Sequence, residues 1–172
     1  MSVHRFRLGK GLAPVSAAAL LCGAMMAGCG GSSGGSNVVT QLVTRARGGT
    51  VSYGSAASVT IPPNALAADT AITIQPAGSL PAAPSGLAVI AVTGFRFGPD
   101  ATAFSAPVTL TLSYDPAQLP SNVSPSSLTI CTVVGGGWQG NTATVDTTAH
   151  KVTISPLHFS TYAILGMVLL PL

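Results

Sequence analysis

The residues of this sequence whose types and spacing could do chemistry are His158 and Ser160, on either side of Phe159. A serine hydroxyl is a poor nucleophile until a neighbouring base takes its proton, and histidine is the commonest such base. Residues two apart on a regular strand point to the same face, so these two side chains can meet. The same spacing also suits a structural role, in which a half-buried histidine is hydrogen-bonded to the hydroxyl.

The first 28 residues have the three-part pattern of a secretory signal peptide. A basic start is followed by an apolar run over residues 12–26 and then by small residues before Cys29. The run is about 15 residues long, whereas spanning a bilayer takes roughly 20, and it contains Pro14. We therefore predict that residues 1–28 are a cleaved signal peptide and not a membrane helix.

The residues around Cys29 resemble the lipobox of bacterial lipoproteins, because Ala27 and Gly28 directly precede the cysteine. That resemblance implies cleavage before Cys29, lipid on its thiol, and anchoring in a membrane of the bacterial cell envelope. Gly30 follows the cysteine, which resembles the outer-membrane sorting class of Gram-negative lipoproteins. Residues 29–37 then form a Gly/Ser tether, and the eight residues after the cysteine have a root-mean-square span of roughly 16 Å.

The formal charge of +3 is due to the predicted signal peptide, which contains Arg5, Arg7 and Lys10. The remaining chain has four positive residues, Arg45, Arg47, Arg96 and Lys151, and four negative ones, Asp69, Asp100, Asp115 and Asp146. This balance provides no electrostatic footprint for nucleic acid or for an anionic membrane surface. We expect no cofactor or small-molecule substrate. We also expect no metal, because His150 and His158 stand apart from any cysteine pair or acidic cluster.

Cysteine usage predicts no disulfide within the mature chain. Cys22 leaves with the signal peptide and Cys29 is lipidated, which leaves Cys131 alone. Cys131 lies in the alternating run Leu128–Val133, and we interpret it as a small residue of the core.

Alternating runs rich in Thr, Val and Ile recur from Val38 onward and are separated by Gly and Pro, which is typical of half-buried strands. They are Thr50–Tyr53, Ser58–Ile61, Ala71–Ile74, Val108–Leu112 and Val152–Ile154. The continuous apolar run Leu87–Val92 favours a central strand, and Asp115 before Pro116 predicts a short helical turn. The chain has no amphipathic helical pattern, so we predict an all-β, antiparallel β-sandwich over residues 38–166, followed by a tail over 167–172.

Several blocks of this region resemble the ZU-five domain, a module named for zonula occludens proteins and Unc-five-type netrin receptors. The blocks are Gly48–Val51, Val59–Leu66, Thr70–Ile74, Phe97–Asp100, and Phe104 with Ala106–Leu110. The resemblance covers roughly residues 48–165 and implies a β-sandwich that serves mostly as an interaction module.

The ZU-five resemblance also gives the His-Phe-Ser triplet a role, because some ZU-five domains of death-domain adaptor proteins cleave themselves at such a triplet. Carried over, the bond between Phe159 and Ser160 breaks. Ser160 is then the nucleophile, Phe159 supplies the scissile carbonyl, and His158 is the base.

The sequence therefore predicts a membrane-anchored envelope lipoprotein with a non-enzymatic interaction or structural module, and an envelope protein is its expected partner. Self-cleavage between Phe159 and Ser160 is one alternative. A carbohydrate-binding sandwich is another, in which Trp138, in a predicted loop after Gly135–Gly137, contacts the sugar together with nearby tyrosines. Capping of the core is the competing role for this tryptophan.

Overall fold

The structure is a computed structural model that describes residues 37–169. The predicted signal peptide, Cys29 and most of the predicted tether lie outside the described residues. The described part is almost entirely β-structure and forms two antiparallel sheets that pack against each other. The prediction of an all-β sandwich is therefore confirmed.

Twelve strands follow one another along the described chain. They are β1 (Val39–Val43), β2 (Gly49–Tyr53), β3 (Ala57–Ile61), β4 (Thr70–Pro76), β5 (Leu87–Val89), β6 (Phe95–Gly98), β7 (Thr109–Ser113), β8 (Thr129–Val134), β9 (Gly137–Gly140), β10 (Thr144–Asp146), β11 (Lys151–Ile154) and β12 (Thr161–Met167). The large sheet has seven strands in the order β1-β4-β6-β12-β8-β9, with β5 paired to β12. The small sheet has five strands in the order β10-β11-β7-β3-β2.

The predicted alternation is clearest in the small sheet. Val59 of β3 lies opposite Leu110 of β7, and both are fully buried between the sheets. The residues that alternate with these along each strand point outward. On that outer face the hydroxyls of Thr111 and Thr153 lie 3.1 Å apart on neighbouring strands. Burial of one apolar face of each sheet is what holds the two layers together.

The region Leu87–Val92 differs from the central strand that its apolar run predicts. Only β5 forms, and it pairs with the end of β12. The chain then turns at Val92, which has a φ of 61° and is 86 % exposed. The Thr93 hydroxyl closes this turn by donating to the Ile90 carbonyl at 2.8 Å. The prediction was wrong because an apolar run does not by itself exclude a turn.

The two-sided burial expected of a central strand occurs in β12 instead. Tyr162 and Ile164 face the main core, while Ala163 and Leu165 belong to a second cluster with Cys131 on the outer face of the large sheet. We call this second group the outer cluster. Residues 77–86, which we call the strap, cover it with Leu80.

The short turn predicted at Asp115 is confirmed. Pro116–Gln118 form a 3-10 helix, and the Asp115 carboxylate accepts a hydrogen bond from the Ala117 N–H at 2.9 Å. This is the N-cap interaction that aspartate before a helical proline favours.

Candidate functional site

The His-Phe-Ser triplet lies directly before β12, and its middle residue belongs to the main core. Phe159 is 1 % exposed. Its ring centroid is 4.8 Å from that of Phe104 and 5.9 Å from that of Phe97. Its N–H donates to the Thr102 carbonyl at 2.9 Å. The residue that would supply the scissile carbonyl is therefore held by aromatic packing and by a backbone hydrogen bond.

The Ser160 side chain is partly buried and hydrogen-bonded to the backbone of a neighbouring strand. Its hydroxyl donates to the Val133 carbonyl at 3.1 Å. Its own carbonyl accepts from the Phe97 N–H at 3.0 Å. A carbonyl oxygen holds the serine proton in place but does not remove it, so this contact positions the side chain without activating it.

His158 is exposed and forms an isolated antiparallel bridge with Ala103. Its carbonyl accepts a hydrogen bond from the Tyr162 hydroxyl at 2.6 Å. Among the hydrogen bonds of residues 37–169, none joins the His158 imidazole to the Ser160 hydroxyl. Both residues line one shallow depression of about 410 Å³. They are not hydrogen-bonded as base and nucleophile.

The backbone of the triplet has no left-handed residue. Within the described chain, positive φ at non-glycine residues occurs at Asn64, Val92, Ala101 and His150. Strained backbone of this kind is one physical source of peptide activation. None of the three residues of the triplet has a positive φ, so this kind of backbone strain is not present there.

An ion pair that the sequence interpretation missed lies in the same depression. Arg96 donates to the carboxylate of Asp100 through two nitrogens, and both side chains are about half exposed. These hydrogen bonds lower the pKa of Asp100 and raise that of Arg96. The Gly98-Pro99 dipeptide between them is a turn signal, but the sequence does not show that this turn brings the two side chains together. An exposed pair contributes little to stability.

Trp138 lies in β9, not in the loop predicted for it, and it covers the outer cluster. Its side chain is partly buried and packs against the outer cluster, as do Leu80, Leu87 and Val89. The indole N–H donates to the Pro81 and Ala82 carbonyls at 3.2 and 3.1 Å. The polar atom that could orient a sugar is thus directed at the strap. This geometry corresponds to the core-capping role.

Cys131 is buried in the outer cluster, 3 % exposed, and burial raises the pKa of its thiol. It is a small core residue as predicted, and its environment disfavours the reactive thiolate. Within residues 37–169, no group of three metal-ligating side chains comes together.

No described helix is long and apolar enough to cross a membrane. No protein-family model matches the chain, and a search of the curated proteins finds no match. The resemblances to lipoproteins and to the ZU-five domain therefore stay predictions that depend on the residues quoted for them.

Proposed function

We propose that this protein is a lipid-anchored lipoprotein of the bacterial envelope whose β-sandwich is a non-enzymatic interaction or structural module. The observation that carries the proposal is the position of the sandwich relative to the lipobox-like sequence. β1 begins at Val39, two residues after the predicted tether ends at Asn37. A signal, a lipidation site, a short tether and a compact β-domain thus follow in the order an anchored module requires.

The contacts of the triplet support a structural role over self-cleavage. Phe159 belongs to the main core, and the Ser160 hydroxyl is hydrogen-bonded to Val133. Both interactions stabilise the start of β12. Nothing in this arrangement requires that the bond between these two residues break.

The lipid anchor is tested by metabolic labelling with a palmitate analogue in a bacterial host. The wild type should be labelled and should fractionate with the outer membrane, whereas Cys29→Ser should be unlabelled and either released or unprocessed. Cys22→Ser is the matched control and should behave as wild type, because this residue leaves with the signal. Label on the Cys29→Ser protein would contradict the proposal.

Intact-mass measurement tests the non-enzymatic part of the proposal. The folded wild type should show one chain with no break between Phe159 and Ser160, as should Ser160→Ala. A fragment that ends at Phe159 in the wild type and is missing in Ser160→Ala would instead establish self-cleavage.

A further inference from the structure

The strand β1 is an edge of the large sheet with none of the features that usually protect an edge. It lies at the end of the strand order and pairs with β4 alone. Its register with β4 runs through five consecutive residue pairs without a bulge. The segment Val38–Val43 has no charged residue and no proline. Natural edges are normally protected by such features, because unpaired backbone groups recruit further strands.

The other sheet edges are less suited to pairing. β5, which pairs with β12 alone, is three residues long. β10 is three residues long and contains Asp146. β9 is four residues long and is bounded by Gly137 and Gly140. β2 starts at Gly49, which has a φ of 156° and follows a tight turn. Short length, charge and glycine all weaken strand addition, so β1 is the most receptive edge.

The exposed side chains of β1 form a self-complementary pattern. Leu42 is 64 % exposed and Val38, the residue before the strand, is 37 % exposed. They lie on one side of the chain with Thr40 midway between them. In an antiparallel pair of two copies centred on Thr40, each Leu42 lies opposite Val38 of the other copy. Both exposed apolar pairs are then covered at once, which is the contact that stabilises sheets.

The turn after β1 selects this register over one centred on Gln41. The alternative would extend the pairing to Val43, which is 2 % exposed and belongs to the main core. Directly after it the chain turns, and the Gly48 N–H donates to the Thr44 carbonyl at 2.9 Å. A centre at Thr40 keeps the added strand away from this turn. The register between these two, which pairs Thr40 with Gln41, would place opposite faces of the two sheets together.

We propose that β1 is a docking edge for a second copy of this chain, paired antiparallel about Thr40 so that the two large sheets become continuous. The exposed Val38 and Leu42, symmetric about Thr40, fit a second copy of the same strand, and the length of chain before the edge brings such a copy within reach. This step depends on the proposed lipid anchor: a tether of roughly 16 Å places the edges of neighbouring copies close to one membrane. The domain is also neutral, with four positive and four negative residues, so copies do not repel each other.

The membrane is needed because the contact is small. A single five-residue strand pair buries much less than the area of a standard stable interface. Anchoring raises the effective concentration of one copy near another and so compensates for a weak contact.

The test is disulfide formation by Thr40→Cys in the full-length chain in bacterial membranes, with palmitate labelling of the same sample. Mild oxidation should give a covalent dimer, because the two introduced thiols face each other across the two-fold axis. Leu42→Cys is the matched control: this position is also exposed, but in the proposed register it lies four residues from the same position of the other copy, so it should not cross-link. Combining Val38→Cys with Leu42→Cys should restore the dimer.

A second variant separates pairing from chance collision. Leu42→Lys in the Thr40→Cys background should lower the dimer yield about tenfold, since two apolar cross-strand pairs are lost together. Leu157→Lys changes a leucine of similar exposure, 54 %, outside β1 and should leave the yield unchanged.

Each outcome has a distinct meaning. A labelled protein with no Thr40→Cys dimer overturns the edge pairing and leaves the anchor intact. An unlabelled protein that gives the dimer only when it has the Thr40→Cys substitution overturns the anchor and leaves the pairing, whereas a dimer that also forms with Thr40 in place is a cross-link through Cys29 and overturns both. Equal dimer yields from Thr40→Cys and Leu42→Cys, or a cross-link to a different protein in place of the dimer, overturn the pairing between copies.

Discussion

Two hydroxyl groups fix the start of β12 at the scale of single residues. The Ser160 hydroxyl donates to the Val133 carbonyl on β8, and the Tyr162 hydroxyl donates back to the His158 carbonyl. Phe159 lies between them in the main core. The residues that resemble a cleavage motif therefore also hold the chain in place where it enters the sheet.

We predict that the alkaline stability of the protein depends on Tyr162. Burial raises the pKa of this side chain to about 12, against about 10 in an unfolded chain. The fold favours the neutral phenol, so this contribution is complete below about pH 10 and is lost as the pH rises toward about 12. In Tyr162→Phe the free energy of unfolding, measured in urea, should fall less steeply over that interval.

At neutral pH the same substitution should destabilise the protein. Tyr162→Phe removes the 2.6 Å hydrogen bond to His158 and should lower the free energy of unfolding by about 1 kcal/mol. Tyr114→Phe is the control, because burial also raises the pKa of Tyr114 but its hydroxyl is buried without a partner among the described residues. Its removal should cost nothing at neutral pH. An alkaline slope in Tyr162→Phe as steep as in wild type would contradict the assignment.

The strap is the element that most changes how the large sheet is built. It turns the outer face of β12 and β8 from a solvent-exposed surface into a second apolar layer with Leu80 and Trp138. Gly94 permits this approach, since a Cβ at that position would lie 2.7 Å from the Leu80 side chain. Packing and the two hydrogen bonds of the indole hold the middle of the strap. Backbone hydrogen bonds from the Ala77 N–H to the Gly94 carbonyl and from the Val168 N–H to the Gly86 carbonyl hold its two ends.

We predict that Trp138 controls access to the Cys131 thiol. In wild type this thiol is 3 % exposed and should react slowly with a maleimide at neutral pH. Trp138→Ala removes the cover and both hydrogen bonds, so the reaction should become at least about tenfold faster through local opening of the strap. The rate is measured by intact mass against time.

Two variants identify the cause of any change in that rate. Trp138→Phe keeps apolar cover but loses the indole N–H, and its rate should be intermediate. Val134→Ala changes an exposed residue of the same hairpin, 53 % exposed, and should react like wild type. A thiol as slow in Trp138→Ala as in wild type would show that the strap stays closed without the tryptophan.

Strand positions could be predicted here because each strand of the small sheet has one buried face, and period-two alternation reports that directly. The same signal fails where burial depends on a distant segment. β12 is apolar on both faces because the strap covers it, whereas Leu87–Val92 is apolar and yet turns at Val92.

For the triplet, spacing predicted that His158 and Ser160 share a surface. The Val133 partner of Ser160 depends on the pairing of β12 with β8, which no local pattern encodes.

At the scale of the whole described domain, β12 is the strand on which the large sheet depends. It pairs with β5, β6 and β8 and so joins the two halves of that sheet. It also contributes side chains to both the main core and the outer cluster. A break between Phe159 and Ser160 would therefore leave a strand held by many contacts and not a free fragment.

This position predicts that the chain cannot fold without β12. Truncation after Phe159 removes Tyr162, Ile164 and Leu165, all fully buried. The loss of each such side chain costs about 3 kcal/mol or more, and the total stability of a domain is only about 5–15 kcal/mol. The truncated protein should therefore be unfolded by circular dichroism.

Truncation after Met167 is the control that keeps β12. It removes the hydrogen bonds from the Val168 and Leu169 N–H groups to Gly86 and Asn122, a loss of about 2 kcal/mol, so the protein should fold with a lowered melting temperature. Adding a peptide of residues 160–172 to the chain that ends at Phe159 should restore the β-sheet spectrum, because the strand binds through contacts that need no covalent link. If the chain that ends at Phe159 folds alone, the large sheet forms without β12. That result would remove the argument that a cleaved strand stays bound.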